Sequence, residues 1–177
     1  MKKKIILAVF VIFFSCSLFI SEISAQQRTY AFPYKFTAED IYGKQVTEKT
    51  LGEKELYFVH YLATWCPPCV KEMPELGYIA RKFGNRVGFI GLLDDYDTNK
   101  AAAIRLVESS GIPFILVDAD HKDFVNLMKL VRSGYVPTTI LIGRDGKIIG
   151  EQIVGSYGLE YVGFIEKALT QLSSTNR

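Results

Sequence analysis

Apolar and polar positions along the chain change period several times, and each change marks an element. Tyr34 to Thr47 alternates as a hairpin does, with Tyr42-Gly43-Lys44 as its turn. Leu56 to Ala63 is apolar on both faces, the pattern of a central buried strand. Val70, Met73, Leu76, Ala80 and Phe83 then recur at helical spacing up to Gly84, a natural stop. Pro74 lies inside that helix and predicts a kink. Val87 to Leu93 reads as a second buried strand, followed by an acidic loop, Asp94-Asp95-Tyr96-Asp97. Lys100 to Ser110 predicts a helix ended by Gly111, Pro113 to Val117 a short strand, and Asp120 to Val131 another helix. Thr138 to Ile142 and Lys147 to Val154 flank Arg144-Asp145-Gly146, a hairpin signal, and Leu159 to Leu172 closes the chain as a helix.

Strands that alternate with helices imply a parallel core, to which the last hairpin adds antiparallel strands. The expected architecture is an α/β sandwich with helices on both faces of a mixed sheet.

The first residues do not fit that domain. Lys2, Lys3 and Lys4 precede an apolar run from Ile5 to Ile20, and Ser21 to Ala25 ends in small residues. This order reads as a secretory signal at residues 1–25, with an uncleaved N-terminal membrane anchor as the second reading. Acylation of Cys16 as a lipoprotein is a third, weakened by Phe13-Phe14-Ser15 before it. Residues 26–177 then form one domain. The formal charge of +2 comes from the leader, and without it basic and acidic residues balance. A neutral domain gives no case for nucleic acid or an anionic membrane surface as partner.

Removing the leader also reduces three cysteines to two, Cys66 and Cys69, within VHYLATWCPPCVKEMPEL (residues 59–76). A structural zinc site needs four ligands, and only His60 and His121 are available, so no metal is expected. A two-thiolate Cu(I) site stays open as a non-catalytic alternative. A structural disulfide with a two-residue spacer closes too small a loop to stabilise much. The pair lies where a buried strand gives way to a helix. Unpaired N–H groups and the macrodipole there favour a thiolate. Cys66 is expected to be the exposed nucleophile, and Cys69, one turn in, the more buried resolving thiol. The spacers Pro67 and Pro68 suit a first helical turn, where a missing N–H costs little.

Trp65-Cys66-Pro67-Pro68-Cys69, with Tyr135-Val136-Pro137-Thr138-Thr139 further on and Asp145-Gly146-Lys147 after it, resembles a thioredoxin-fold protein. The details resemble the TlpA/ResA-like thiol–disulfide oxidoreductases of the bacterial cell envelope. The resemblance implies a thioredoxin fold: a central mixed β-sheet flanked by helices, with an added N-terminal β-hairpin. It implies a redox-active Cys66–Cys69 disulfide and no other cofactor. It also implies a cis bond at Val136–Pro137 that places the Val136 backbone beside the cysteines, where substrate docks. Trp65 would shape the same docking surface. The implied partners are protein thiols and disulfides and a membrane thiol–disulfide electron donor. The implied location is the periplasm or the outer face of the cytoplasmic membrane. The direction favoured is reduction, with apocytochrome c as one candidate substrate; an oxidase or isomerase on the same fold stays open.

Two further residues belong to the candidate site. Glu72 is three positions after Cys69, within reach of its region on a helix, and a glutamate here tunes the thiols in the family. His60 stands six residues before Cys66, where thioredoxins of the cell interior carry aspartate. It is either a core histidine hydrogen-bonded to a neighbour or a modulator of the Cys69 pKa. His121 is expected to be solvated. A peroxidase of the same fold would place Thr and Pro at positions that are Ala63 and Val59 here.

Overall fold

The computed structural model describes residues 32, 34–113, 115–131 and 133–175. The predicted leader, Cys16 and the lead-in before Phe32 lie outside the described residues. No helix among the described residues is long and apolar enough to cross a membrane.

Five strands form the main sheet in the order β5-β4-β3-β6-β7. These are β3 (Leu56–Leu62), β4 (Val87–Leu93), β5 (Ile115–Asp118), β6 (Thr138–Gly143) and β7 (Ile153–Val154). β3, β4 and β5 run parallel, while β6 runs antiparallel to β3 and β7 to β6. A separate two-stranded hairpin, β1 (Thr37–Glu39) and β2 (Gln45–Thr47), precedes them. It is fastened to β5 by a bridge between Asp40 and Val117 and by the Ile41 amide on the Leu116 carbonyl at 3.1 Å.

Strand periodicity divides the core in two. Leu56, Phe58 and Leu62 of β3 face one side, where α2 (Pro67–Phe83), α3 (Tyr96–Ser110) and α5 (Tyr161–Thr175) pack through Met73, Leu76, Ala103, Tyr161 and Ile165. Tyr57, Val59 and Tyr61 face the other side, covered by the hairpin and by α4 (Val125–Val131). His60 shares the parity of Phe58, so it is placed under α2.

Several expected boundaries move. A four-residue α1 (Glu48–Leu51) follows β2, nucleated by a reciprocal Thr47–Thr50 capping box that the apolar pattern does not register. The acidic stretch is not all loop: Asp95 is the N-cap of α3, and the Asn99 amide returns to its carbonyl at 2.9 Å. The departure from helical dihedrals falls at Asn99 of α3, whereas α2 continues through Pro74. The helix expected from Asp120 begins as a 3₁₀ turn, Lys122–Phe124, capped by His121, whose Nδ1 accepts the Asp123 amide at 3.3 Å. His121 is therefore a half-buried cap rather than a solvated side chain.

The last hairpin is interrupted. Lys147 to Ile149 pairs back on β6, but Gly150 takes a φ of 77° and turns the strand aside before β7 resumes at Ile153. The displaced Gln152 donates its side-chain amide to the Val131 carbonyl at 2.7 Å, satisfying the end of α4.

Candidate active site

The two cysteines stand at the junction of β3 and α2, joined as a disulfide with Cα atoms 5.3 Å apart. Cys66 is the N-cap of α2, with Pro67 and Pro68 in its first two positions. Neither proline has an N–H, so the first free amide of the helix belongs to Cys69. That amide donates to Cys66 Sγ at 3.3 Å. The next, on Val70, goes to the Cys66 carbonyl at 3.1 Å. One backbone donor therefore serves the Cys66 sulfur.

The expected difference in exposure between the sulfurs is small. Cys66 is 3% exposed and Cys69 fully buried. Cys66 is covered because the loop before β6 sits over it, with the Val136 carbonyl oxygen 3.5 Å from Sγ. The Val136–Pro137 peptide is cis. The loop is held by the Thr138 hydroxyl, which donates to the Tyr135 carbonyl at 2.8 Å, and by the Gly155 amide, which donates to the Pro137 carbonyl at 2.8 Å. Trp65 on one side and Tyr135 on the other are 60% and 68% exposed. Large aromatics left in water beside a reactive centre are suited to recognition.

One turn along α2 from Cys69, Glu72 enters a buried polar cluster. Glu72 is on the inner face of α2, 1% exposed, and His60 on β3 is fully buried. His60 Nε2 and Glu72 Oε1 are 3.3 Å apart. On the other ring edge, Nδ1 lies 2.8 Å from the Thr139 hydroxyl. Thr139 in turn donates to the Tyr161 hydroxyl at 3.3 Å, and Tyr161 donates to the Gly155 carbonyl at 3.1 Å. Burial above all, and then the Glu72 charge, raise the Tyr161 pKa beyond the ordinary phenol range. The sequence brings His60 and Glu72 forward but not Thr139 or Tyr161. A signal for Thr139 exists in retrospect: it is two positions after Pro137, in register opposite His60.

Asp95 is the other omission. Its carboxylate accepts the Thr64 amide at 3.0 Å and the Thr64 hydroxyl, and Asn99 Nδ2 at 2.9 Å. It thus grips the turn that leads from β3 into Trp65 and Cys66. Its neighbour Asp94 accepts the Tyr61 hydroxyl.

This arrangement, a disulfide at a helix N-terminus facing a cis-proline loop, coincides with a family pattern covering most of the chain. The family model that matches residues 29–162 is described as Redoxin. The chain belongs to the Redoxin family. Thiol-disulfide oxidoreductase ResA from Bacillus thuringiensis (strain Al Hakam) is 33% identical to it over 135 residues, spanning 75% of this chain and 73% of ResA. A thiol:disulfide interchange protein of the thioredoxin family from Chlorobium tepidum TLS superposes with a TM-score of 0.64 at 24% identity, covering 76% of this chain and 93% of that one. The solution structure of a thiol-disulfide oxidoreductase from Bacteroides vulgatus gives 0.57 at 28% identity, covering 78% and 87%. The fold of this Redoxin-family chain is that of thioredoxin, with the N-terminal hairpin added, and it is a thiol–disulfide oxidoreductase.

Proposed function

We propose that the chain is an extracytoplasmic protein disulfide reductase, working through Cys66 and Cys69 with no other cofactor. Cys66 attacks a disulfide of the substrate protein, and Cys69 resolves the mixed disulfide. Trp65 and the backbone of Val136 beside Pro137 hold the substrate chain. Glu72 exchanges a proton with Cys69. A membrane dithiol donor restores the reduced form, and an apocytochrome c is one candidate substrate. The leader sequence supports action in the periplasm or at the outer face of the cytoplasmic membrane.

One observation carries the direction. Pro67 and Pro68 leave the Cys69 amide as the backbone donor to Cys66 Sγ. A strongly oxidising CxxC pair owes its potential to a well-stabilised reduced form. Stripping amides from the helix start stabilises the thiolate less, so the dithiol gives up its electrons more readily. The test is the reduction potential of the Cys66–Cys69 couple, with an insulin-reduction assay beside it. The expected potential is nearer the thioredoxin value of about −270 mV than the oxidant value of about −120 mV. A potential at the oxidising end, with no insulin reduction, sinks the reductase reading and leaves an oxidase or isomerase.

A further inference from the structure

The His60–Glu72 cluster, one turn along α2 from Cys69, contains more acceptors than its hydrogens can serve, and counting them places a proton. The Gly155 carbonyl can only accept, so the Tyr161 hydroxyl hydrogen is committed to it. The Thr139 hydroxyl has one hydrogen, and it is directed at the Tyr161 oxygen. With that hydrogen placed there, the 2.8 Å contact between Thr139 and His60 takes its hydrogen from Nδ1. If neutral, His60 therefore has a bare lone pair at Nε2. That lone pair faces Glu72 Oε1 at 3.3 Å, and neither atom has another hydrogen-bond partner among the described residues. Nor does Glu72 Oε2 have one there. Two buried lone pairs facing each other repel, and an unpaired buried carboxylate is strongly disfavoured. One proton between them removes both problems.

We infer that His60 and Glu72 hold one proton in common, that Thr139 and Tyr161 fix its place by locking His60 with Nδ1 protonated, and that this pair is the proton store for Cys69. The inference rests on the function proposed above and concerns its acid–base step. When a donor thiolate attacks Cys66 Sγ, the S–S bond breaks and its electron pair leaves on Cys69 Sγ. The buried Cys69 thiolate takes the shared proton, and the pair is left with one negative charge. In substrate reduction the step reverses. The Cys69 thiol returns its proton to the pair, its thiolate attacks Cys66 Sγ of the mixed disulfide, and the substrate thiolate departs. One negative charge thus moves between two buried places.

Glu72 gives and takes the proton. His60 is a positioning residue, acting through Glu72 by offering the proton a second seat. Among the described residues, the titratable groups around the pair are Tyr161 from α5 and, on α2, Cys69 one turn before Glu72, with Cys66 bonded to it. β6 contributes Thr139 and β3 the Phe58 ring stacked on His60 at 5.9 Å, neither of which titrates. The network also reaches the docking loop, because Gly155 accepts from Tyr161 and donates to the Pro137 carbonyl.

The test is nitrogen-15 NMR of the two imidazoles in the oxidised protein, with His121→Asn to assign them. The expected result is Nδ1 protonated throughout the folded pH range, with Nε2 and the Glu72 carboxyl carbon titrating in one common step. A neutral His60 carrying its hydrogen on Nε2, or a Glu72 that titrates independently of the ring, overturns the inference. Tyr161→Phe frees the Thr139 hydrogen for Nδ1, so the ring should shift toward the Nε2–H form; an unchanged tautomer overturns the hydrogen count. In stopped-flow thiol exchange, His60→Asn should slow the reaction about tenfold at neutral pH and displace the pH midpoint. An unmoved midpoint makes His60 merely structural. A wild-type protein inert toward disulfides refutes the proposed function but leaves the tautomer result standing.

Discussion

The Asp95 carboxylate, just past the end of β4, accepts both the amide and the hydroxyl hydrogen of Thr64, two residues before Cys66. The active-site turn is thereby tied to the neighbouring parallel strand by a charged acceptor. Asp95→Ala removes the acceptor and leaves the half-buried Thr64 amide without it. The expected cost is about 2–3 kcal/mol in urea unfolding, with slower thiol exchange from a looser Cys66 turn. Asp95→Asn keeps one acceptor and should cost less. Equal stability for Asp95→Ala and wild type would mean that Asp95 does not hold the turn.

The same contact gives an acid limb. Burial pushes the Asp95 carboxyl up, but hydrogen bonds from the Thr64 side chain and amide and from Asn99 outweigh it and hold it below the ordinary carboxylate value. A depressed folded pKa means stability that is present above the unfolded value of about 3.9 and is lost as pH falls through the folded value. The stability gap between wild type and Asp95→Asn should therefore be constant above about pH 5 and narrow below about pH 4. A gap that widens on acidification contradicts the assignment.

The proposed division of labour between the sulfurs is separable by trapping. Cys69→Ser leaves Cys66 able to attack but unable to be resolved, so a mixed disulfide with a disulfide-bonded protein should accumulate and survive non-reducing electrophoresis. Cys66→Ser should trap nothing at comparable times, because Cys69, the third residue of α2, lacks the N-cap position and the amide donor that serve the Cys66 sulfur. Trapping through Cys69 instead would reverse the roles.

Tyr34 supplies a prediction at the alkaline end. It donates to the Asp123 carbonyl, fastening the start of the described chain to the 3₁₀ turn before α4. Burial, and then the Asp123 charge, push its hydroxyl up to about 12. A raised folded pKa contributes stability that is complete below the unfolded value of about 10 and fades as pH rises toward about 12. The stability difference between wild type and Tyr34→Phe should shrink over that window; a constant difference would show that Tyr34 ionises alike in both states.

Much of this molecule is legible in the sequence because period and punctuation agree with the tertiary structure. The unbroken apolar run of β3, and Gly111 taking a left-handed φ of 63° at the end of α3, are both local facts with local causes. Even the placement of His60 under α2 follows from the parity it shares with Phe58. What fails to show is whatever depends on partners distant in sequence. Asp95 reads as one of several loop acids because its partner Thr64 lies in the turn after another strand, β3. Thr139 and Tyr161 read as a strand hydroxyl and a core aromatic, since their role exists only once β3, β6 and α5 are packed. Cys66 is more buried than its place at a helix start suggests, because a loop seventy residues away covers it.

A last prediction lies on the far face of the sheet, where Gly88 of β4 stands in register with Tyr57 of β3. A methyl group at Gly88 would come within 2.7 and 2.9 Å of two Tyr57 ring carbons. The ring has little freedom to yield. Its hydroxyl accepts the Lys54 amide at 3.1 Å and donates to the Gly52 carbonyl at 2.9 Å, and Phe32 packs edge-on at 5.4 Å. Gly88→Ala should therefore cost about 1–3 kcal/mol, a typical overpacking penalty. The cause is separable by a double-mutant cycle. Tyr57→Leu removes the ring at its own cost, and adding Gly88→Ala to it should then cost much less than in the wild type, a coupling of about 1 kcal/mol or more. If the two changes add without coupling, the ring is not what makes glycine necessary at position 88.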